Sequence, residues 1–360
     1  MSGLRIAFCW TGLTGYMPSC WRALAKLPDV EQRIYIETRR ASTAQHAFRE
    51  DGLDGLRVRV RERDDCAGVG AWLDELVEFR PDLVEVTGWV GRLQRAVVRS
   101  PRLSSTPKIL GLDLSYRGTW RQRLAPYVLR SYLRRFCAVC VPGERAAAYA
   151  RHLGFAEAQI ERGLYGFDYD GFAEAAQARP VLPWPARFVF VGRYCEDKGV
   201  DVLLKAYRCY RLRVPRPWPL TCCGMGPLAD AVCREEGVTD AGFLQPEQMP
   251  GFLAGQGVFI LPSRYEPWGV ALGEACASGL PVIASRACGG TAELVRAYEN
   301  GLLCEAGSSE SLVDAMLWMH GRADELPVLS ARSQALARPY AAQAWARSWY
   351  ALAVKRRLGA

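Results

Sequence analysis

Short apolar runs and helix-like stretches alternate along this chain; the alternation halts once and then starts again. Residues 4–9 read as a strand, followed by the glycine-containing loop Thr11-Gly12-Leu13-Thr14-Gly15-Tyr16 and a helix from Ser19, which can act as its N-cap. Residues 33–38, 82–87, 108–112 and 138–141 read as further strands, with a helix over 70–79. This is the βαβ rhythm of a parallel, doubly wound sheet. Residues 172–186 are alanine-rich and then carry Pro180, Pro183 and Pro185, which reads as a linker. Strands at 187–191, 219–223, 258–261 and 281–284 follow, with helices at 200–211, 228–236 and 270–278. The fold expected is α/β, with two Rossmann-like domains at residues 1–175 and 186–335. The stretch 336–360 reads as a tryptophan-rich helix. Two tandem parallel sheets offer a cleft between their C-terminal edges, where ligands bind.

Several classes are excluded early. Apolar residues make up 50% and charged residues 23% of the 360, a globular composition. No apolar run approaches the roughly 18 residues of a membrane helix. The apolar stretch at residues 6–10 is too short for a signal peptide and runs into Thr11-Gly12. The expectation is a cytoplasmic protein, with a peripheral place at the inner membrane face left open. The 13 cysteines are odd in number and irregularly spaced, so they read as buried thiols in a reducing compartment. Cys137 and Cys140 form one C-x-x-C, but the three histidines, His46, His152 and His320, are scattered; no metal site is expected.

The net charge of +8 is unevenly spread. Between Arg92 and Arg135, ten arginines and Lys108 face a single acid, Asp113, a net of +10. Such a block suggests an anionic partner.

Three constellations carry chemistry. In residues 259–284 a buried strand ends at Pro262, a loop carries Glu266-Pro267-Trp268-Gly269, and a helix starts at Val270 with Gly279 at its C′ position. Its first N–H groups suit a phosphate. Glu266 and Glu274 could hydrogen-bond sugar or ribose hydroxyls; alternatively one caps the helix and the other is solvated. In residues 190–199 a strand ends at Gly192, and Arg193 and Lys198 flank a turn where both can reach one diphosphate. Cys223-Gly224-Met225-Gly226-Pro227 is a third strand end with exposed backbone.

In this order the three resemble the retaining glycosyltransferases of the GT-B fold, in particular glycosyltransferase family 4 (glycosyl transferases group 1). The matching segments are Gly-Arg-x4-Lys-Gly at 192–199, Gly-x-Gly-Pro at 224–227, Gly242-Phe243-Leu244, Glu-x7-Glu from Glu266 to Glu274, and residues 289–294 with Asn300-Gly301. The resemblance is strong over residues 188–316, looser at Val141-Pro142-Gly143-Glu144 and at residues 163–168, and poor over the first 130, as expected of an acceptor-binding half.

The resemblance implies two domains facing across a cleft, with a C-terminal helix crossing back to the first. It implies a hexosyltransferase taking its sugar from an NDP-sugar, with a UDP-sugar favoured, as co-substrate and without cofactor or metal. Arg193 and Lys198 would grip the diphosphate, Glu266 the transferred sugar and Glu274 the ribose. The backbone at Gly269 and Val270 would lie near sugar or phosphate, Gly15 would close from the first domain, and Gly224 and Leu244 would border the base. The acceptor would be a sugar, a lipid-linked sugar, a cell-surface glycan precursor or another small molecule.

Two departures stand out. Many relatives carry a first-domain histidine that approaches the donor sugar; here Asp113 occupies that region. Met225 stands where a polar residue is common. Asp168-Tyr169-Asp170 spells the Asp-x-Asp of metal-dependent transferases, but it falls at the domain boundary and is not read as a metal site. In residues 120–136 Leu124, Val128, Leu129, Tyr132, Leu133 and Phe136 recur at helical spacing as the apolar face, with Arg123, Arg130 and Arg134 on another side. That basic face is either solvated or a weak contact to anionic membrane. No motif supports nucleic-acid binding. The alternatives are a GT-B epimerase or hydrolase acting on an NDP-sugar, and a non-catalytic NDP-sugar-binding subunit.

Overall fold

The computed structural model describes residues 3–38, 48–62, 68–181 and 183–358; His46 and position 182 of the linker stretch lie outside them. The chain forms two compact units, Met1–Gly166 with Ala342–Ala360, and Phe167–Ala341.

The first unit carries β1 (Leu4–Thr11), β2 (Val30–Thr38), β3 (Val58–Glu62), β4 (Leu83–Thr87), β5 (Lys108–Gly111), β6 (Ala138–Val141) and β7 (Ile160–Arg162). They form one sheet in the order β3-β2-β1-β4-β5-β6-β7, with parallel pairing throughout. The first helix begins at Met17, ahead of Ser19. Pro18 fits its first turn, and Ser19 Oγ bonds back to the Tyr16 carbonyl instead of capping. Behind the sheet lies the helix Ala342–Arg357. Its Trp345 and Trp349 are buried, with ring centroids 5.7 and 5.4 Å from Phe8 on β1. Their indole N–H groups donate to the carbonyls of Leu164 and Gly163. Burying aromatic rings with their polar ends satisfied holds this last helix to the first unit.

The second unit carries β8 (Phe188–Val191), β9 (Leu220–Cys223), β10 (Val238–Asp240), β11 (Val258–Leu261), β12 (Val282–Ser285) and β13 (Gly301–Cys304). The order is β10-β9-β8-β11-β12-β13, again with parallel pairing. The chain winds outward from β8 to β10, returns to β11 and winds out the other way. The order therefore reverses between β8 and β11, and the crevice above that pair is the expected ligand position in such a sheet.

The stretch read as a linker starts as part of this unit. The helix Tyr169–Ala176 packs on the helices Met249–Ala254 and Val270–Ala277. Arg179 is buried and donates to the carbonyls of Ala254, Leu253 and Ser278. Burial lowers its pKa to about 10. Residues 167–175, assigned by sequence to the first domain, are thus pinned to the second unit.

A second difference concerns residues 120–136. Two helices stand here, Trp120–Val128 and Arg130–Leu133, separated at Leu129. Pro126 removes one backbone donor, and the break resets the helical phase. Tyr132, Leu133 and Phe136 are buried, but Leu124 and Val128 are 49% and 73% exposed. The expected single apolar face does not exist.

Among the described residues twelve cysteines are free thiols, eight of them buried. No helix among the described residues is long and apolar enough to cross a membrane.

Candidate donor site

Eight of the nine proposed site residues lie in the second unit, in the segments that leave the C-terminal ends of its strands, with Val270 and Glu274 in the helix that follows β11; Gly15 lies in the first unit, in the loop after β1. After β8 and β9 two turns are pressed together. Tyr194 N–H donates to the Met225 carbonyl at 2.8 Å and Leu228 N–H to the Tyr194 carbonyl at 2.9 Å. A Cβ on Gly224 would sit 1.9 Å from the Gly192 carbonyl oxygen. Glycine at 224 is therefore required by the close approach of the two turns. After β10, Asp240 accepts from the Tyr194 hydroxyl at 2.6 Å and from Gly242 N–H at 2.8 Å. Leu244 follows in the same loop and is half-buried.

The turn after β8 is also locked to the loop after β11. Asp197 accepts from the N–H groups of Arg264 and Tyr265 through its backbone carbonyl, at 2.9 and 3.2 Å. Arg264 grips the Asp201 carboxylate with both guanidinium nitrogens, 2.5 and 2.6 Å, and the Glu196 carbonyl at 2.8 Å. That fork holds the Asp201 carboxyl below its ordinary range. Lys198 Nζ and Glu266 Oε2 meet as a hydrogen-bonded ion pair across the reversal point between β8 and β11. Their side chains are only 17% and 12% exposed. Arg193 is exposed, and its guanidinium has no partner among the described residues.

Glu266 leads into the helix Val270–Ala277. Gly269 turns the chain with φ +94, a left-handed conformation that glycine adopts without strain. No side chain caps this helix, and no acid stands in its first turn. Its first N–H groups, from Val270 onward, precede any intrahelical bond and can meet an anion. The loop is held from above by residues after β12: Gly289 N–H donates to the Glu266 carbonyl and Gly290 N–H to that of Trp268. One turn into the helix, Glu274 is half-buried. Burial, and next the Asp168 carboxylate, push its pKa up to about 7.

Asp168 accepts from Gly171 N–H and is the N-cap of the helix Tyr169–Ala176, which gives the first acid of the Asp-x-Asp a structural task. No cluster of three metal-ligating side chains occurs among the described residues. His152 bonds the Gln122 carbonyl and His320 the Tyr210 hydroxyl. In the first unit, Asp113 accepts from the Tyr165 hydroxyl at 2.9 Å. Burial, then that carboxylate, push the Tyr165 phenol well above its ordinary pKa. Sequence reasoning missed Tyr194, Asp201, Asp240 and Arg264, the braces of the site. Only the fold brings these partners together, so no spacing pattern announces them.

The family model described as Glycosyl transferases group 1 matches residues 185–321, and that of the Glycosyl transferase 4-like domain matches residues 11–163. The chain belongs to the group 1 glycosyl transferases. An uncharacterized glycosyltransferase of Haemophilus influenzae is 27% identical over 167 residues, 44% of this chain and 46% of that one. Sucrose-phosphate synthase 4 of Arabidopsis thaliana is 45% identical over 62 residues, 17% of this chain and 6% of that one. The matched regions thus span less than half of these relatives. Among solved structures, Anabaena HepE in complex with UDP and glucose superposes with a TM-score of 0.71 at 17% identity, covering 98% of this chain and 100% of that one. Sucrose-phosphate synthase from Thermosynechococcus elongatus gives 0.71 at 18%, covering 99% and 100%. This likeness establishes the GT-B fold of the family member described here.

Proposed function

We propose that this group 1 glycosyl transferase is a retaining hexosyltransferase that moves a sugar from a UDP-sugar to an acceptor sugar, lipid-linked sugar or small molecule. The observation that carries the reading is the meeting of Lys198 and Glu266 at the reversal point of the second sheet, beside an uncapped helix start. HepE structures with UDP and with UDP-glucose support uridine as the base. On this reading Arg193, Lys198 and the N–H groups from Val270 meet the diphosphate. Their charge stabilises it as it leaves, when it is most negative. Glu266 accepts from the hydroxyls of the transferred sugar and Glu274 from the ribose. Gly269, Gly224 and Leu244 bring backbone close to donor and base. The cations take the place a divalent metal fills in other transferases, so activity should persist in EDTA; complete loss restored by Mn²⁺ would return Asp168 and Asp170 to consideration.

A thermal-shift screen against UDP, GDP, ADP and their sugars tests the donor. A ligand at 100 times its dissociation constant adds about 2.7 kcal/mol. A selective rise with UDP and one UDP-sugar is expected; no rise with any nucleotide would remove the proposal.

A further inference from the structure

The helix Trp120–Val128 shows an apolar stripe to solvent. Trp120 is 68%, Leu124 49%, Tyr127 78% and Val128 73% exposed. At about 100° per residue these four fall within an arc of about 100° on one side of the helix. Ala125 and, in part, Gln122 and Pro126 make up the opposite, inward side. Arg121 and Arg123 border the stripe on either edge, and the Arg121 guanidinium lies 5.3 Å from the Trp120 ring. Arg130, Arg134 and Arg135 are exposed just beyond.

The charge here is concentrated and unbalanced. Several exposed arginines elsewhere pair with carboxylates, Arg151 with Glu144 and Glu157, Arg286 with Glu305, Arg332 with Glu299, and those that do not, such as Arg193, are not gathered beside an apolar stripe. Arg121, Arg123, Arg130, Arg134 and Arg135 have no carboxylate partner among the described residues. No acid occurs anywhere between Asp113 and Glu144. A stripe of tryptophan, tyrosine and aliphatic residues, bordered on both sides by unpaired arginine, matches the layered chemistry of a bilayer surface. The rings and aliphatic groups suit the acyl boundary, and the guanidinium groups suit the phosphates.

We propose that this helix is a membrane-docking element that inserts Trp120, Leu124, Tyr127 and Val128 into the interface of an anionic phospholipid bilayer, with the neighbouring arginines on lipid phosphates. The proposal stands whatever sugar the second unit handles. It predicts a mixed signature that neither a solvated basic face nor a purely electrostatic contact would give. Each arginine near the surface contributes roughly a fivefold gain in partition, lost as salt is raised. The apolar stripe adds a component that salt does not remove.

The test is co-sedimentation of the full chain with vesicles of phosphatidylglycerol and phosphatidylcholine, or of phosphatidylcholine alone. Wild type should bind the anionic vesicles, with residual binding at high salt. Changing Arg123, Arg130 and Arg134 to Glu should lower partition at low salt on the order of a hundredfold or more. A Trp120→Ser, Leu124→Ser, Tyr127→Ser variant should lose the residual binding at high salt. These side chains are solvent-exposed, so both variants should keep the wild-type melting temperature. As a second readout, the vesicle-induced blue shift of tryptophan fluorescence should disappear in Trp120→Phe. Failure of wild type to sediment at low salt would overturn the proposal. So would a wild-type dimer that the serine variant makes monomeric, since the stripe would then be a protein interface.

Discussion

Replacing Glu266 with glutamine should tighten UDP binding while slowing sugar transfer. Lys198 and Glu266 neutralise each other in the ligand-free protein, and both are largely shielded from water. A diphosphate that reaches Lys198 therefore also approaches the Glu266 carboxylate. At an effective dielectric of about 20, two unit charges about 6 Å apart repel by roughly 3 kcal/mol. Salt and side-chain motion reduce this, so a gain of about tenfold in UDP affinity, about 1.4 kcal/mol, is the expected order. Glutamine keeps the shape and removes the charge, leaving all of Lys198 for phosphate. On the proposed reading the same change weakens a carboxylate contact to the transferred sugar, worth about 1.5–3 kcal/mol, so turnover should fall at least tenfold. Calorimetric titration of UDP measures the first effect, and initial rates with the UDP-sugar found by the thermal screen measure the second. Unchanged or weaker UDP affinity in a variant with wild-type melting behaviour would refute the idea that the ion pair guards the diphosphate position.

Further outcomes follow from single residues. Glu274 has a pKa near 7 in the folded protein, above its ordinary 4.5, so the folded state holds a proton that the unfolded chain releases. Its contribution to stability is therefore lost as pH rises from about 4.5 through 7; Glu274→Gln should flatten that part of the Tm-against-pH curve. The same variant should weaken UDP, and the rise in UDP affinity expected between pH 6 and 8 should vanish, as titrations at several pH values would show. Glu85 on β4 is fully buried, and burial raises its pKa well above the ordinary value against the opposing pull of the neighbouring Trp10 indole. Glu85→Gln should raise Tm more at pH 8 than at pH 5, a difference that thermal denaturation would read. Trp349→Ala, which empties the space beside Phe8, should cost about 3–5 kcal/mol in a urea melt.

The strands visible in the sequence and those that escaped it divide along a physical line. β1, β2, β4, β5, β6, β8, β9, β11 and β12 were legible as apolar runs. β3, β7, β10 and β13 were not, and these are the four edge strands of the two sheets. An edge strand is paired on one side only, and sequences such as Val-Arg-Val-Arg-Glu or Ile-Glu-Arg carry too little apolar signal to declare it. The turns bearing Lys198, Glu266 and Glu274 were legible because glycine and charge at short spacing reflect local backbone demands. Their pairing was not, because Lys198 and Glu266 are 68 residues apart. The outward stripe at Trp120–Val128 was misread because periodicity reports which residues share a face, not which way the face points, and the break at Leu129 splits the pattern.

Calorimetric titration of UDP into wild type and into the double variant Arg193→Ala, Lys198→Met, in EDTA, tests the central claim most directly. The account predicts saturable one-to-one binding by wild type. It predicts a loss of at least a hundredfold in the variant, since two charge-assisted contacts of roughly 1.5–3 kcal/mol each are removed. Equal affinity in the two proteins would contradict it, and would place the nucleotide somewhere other than the strand ends where Lys198 and Glu266 meet.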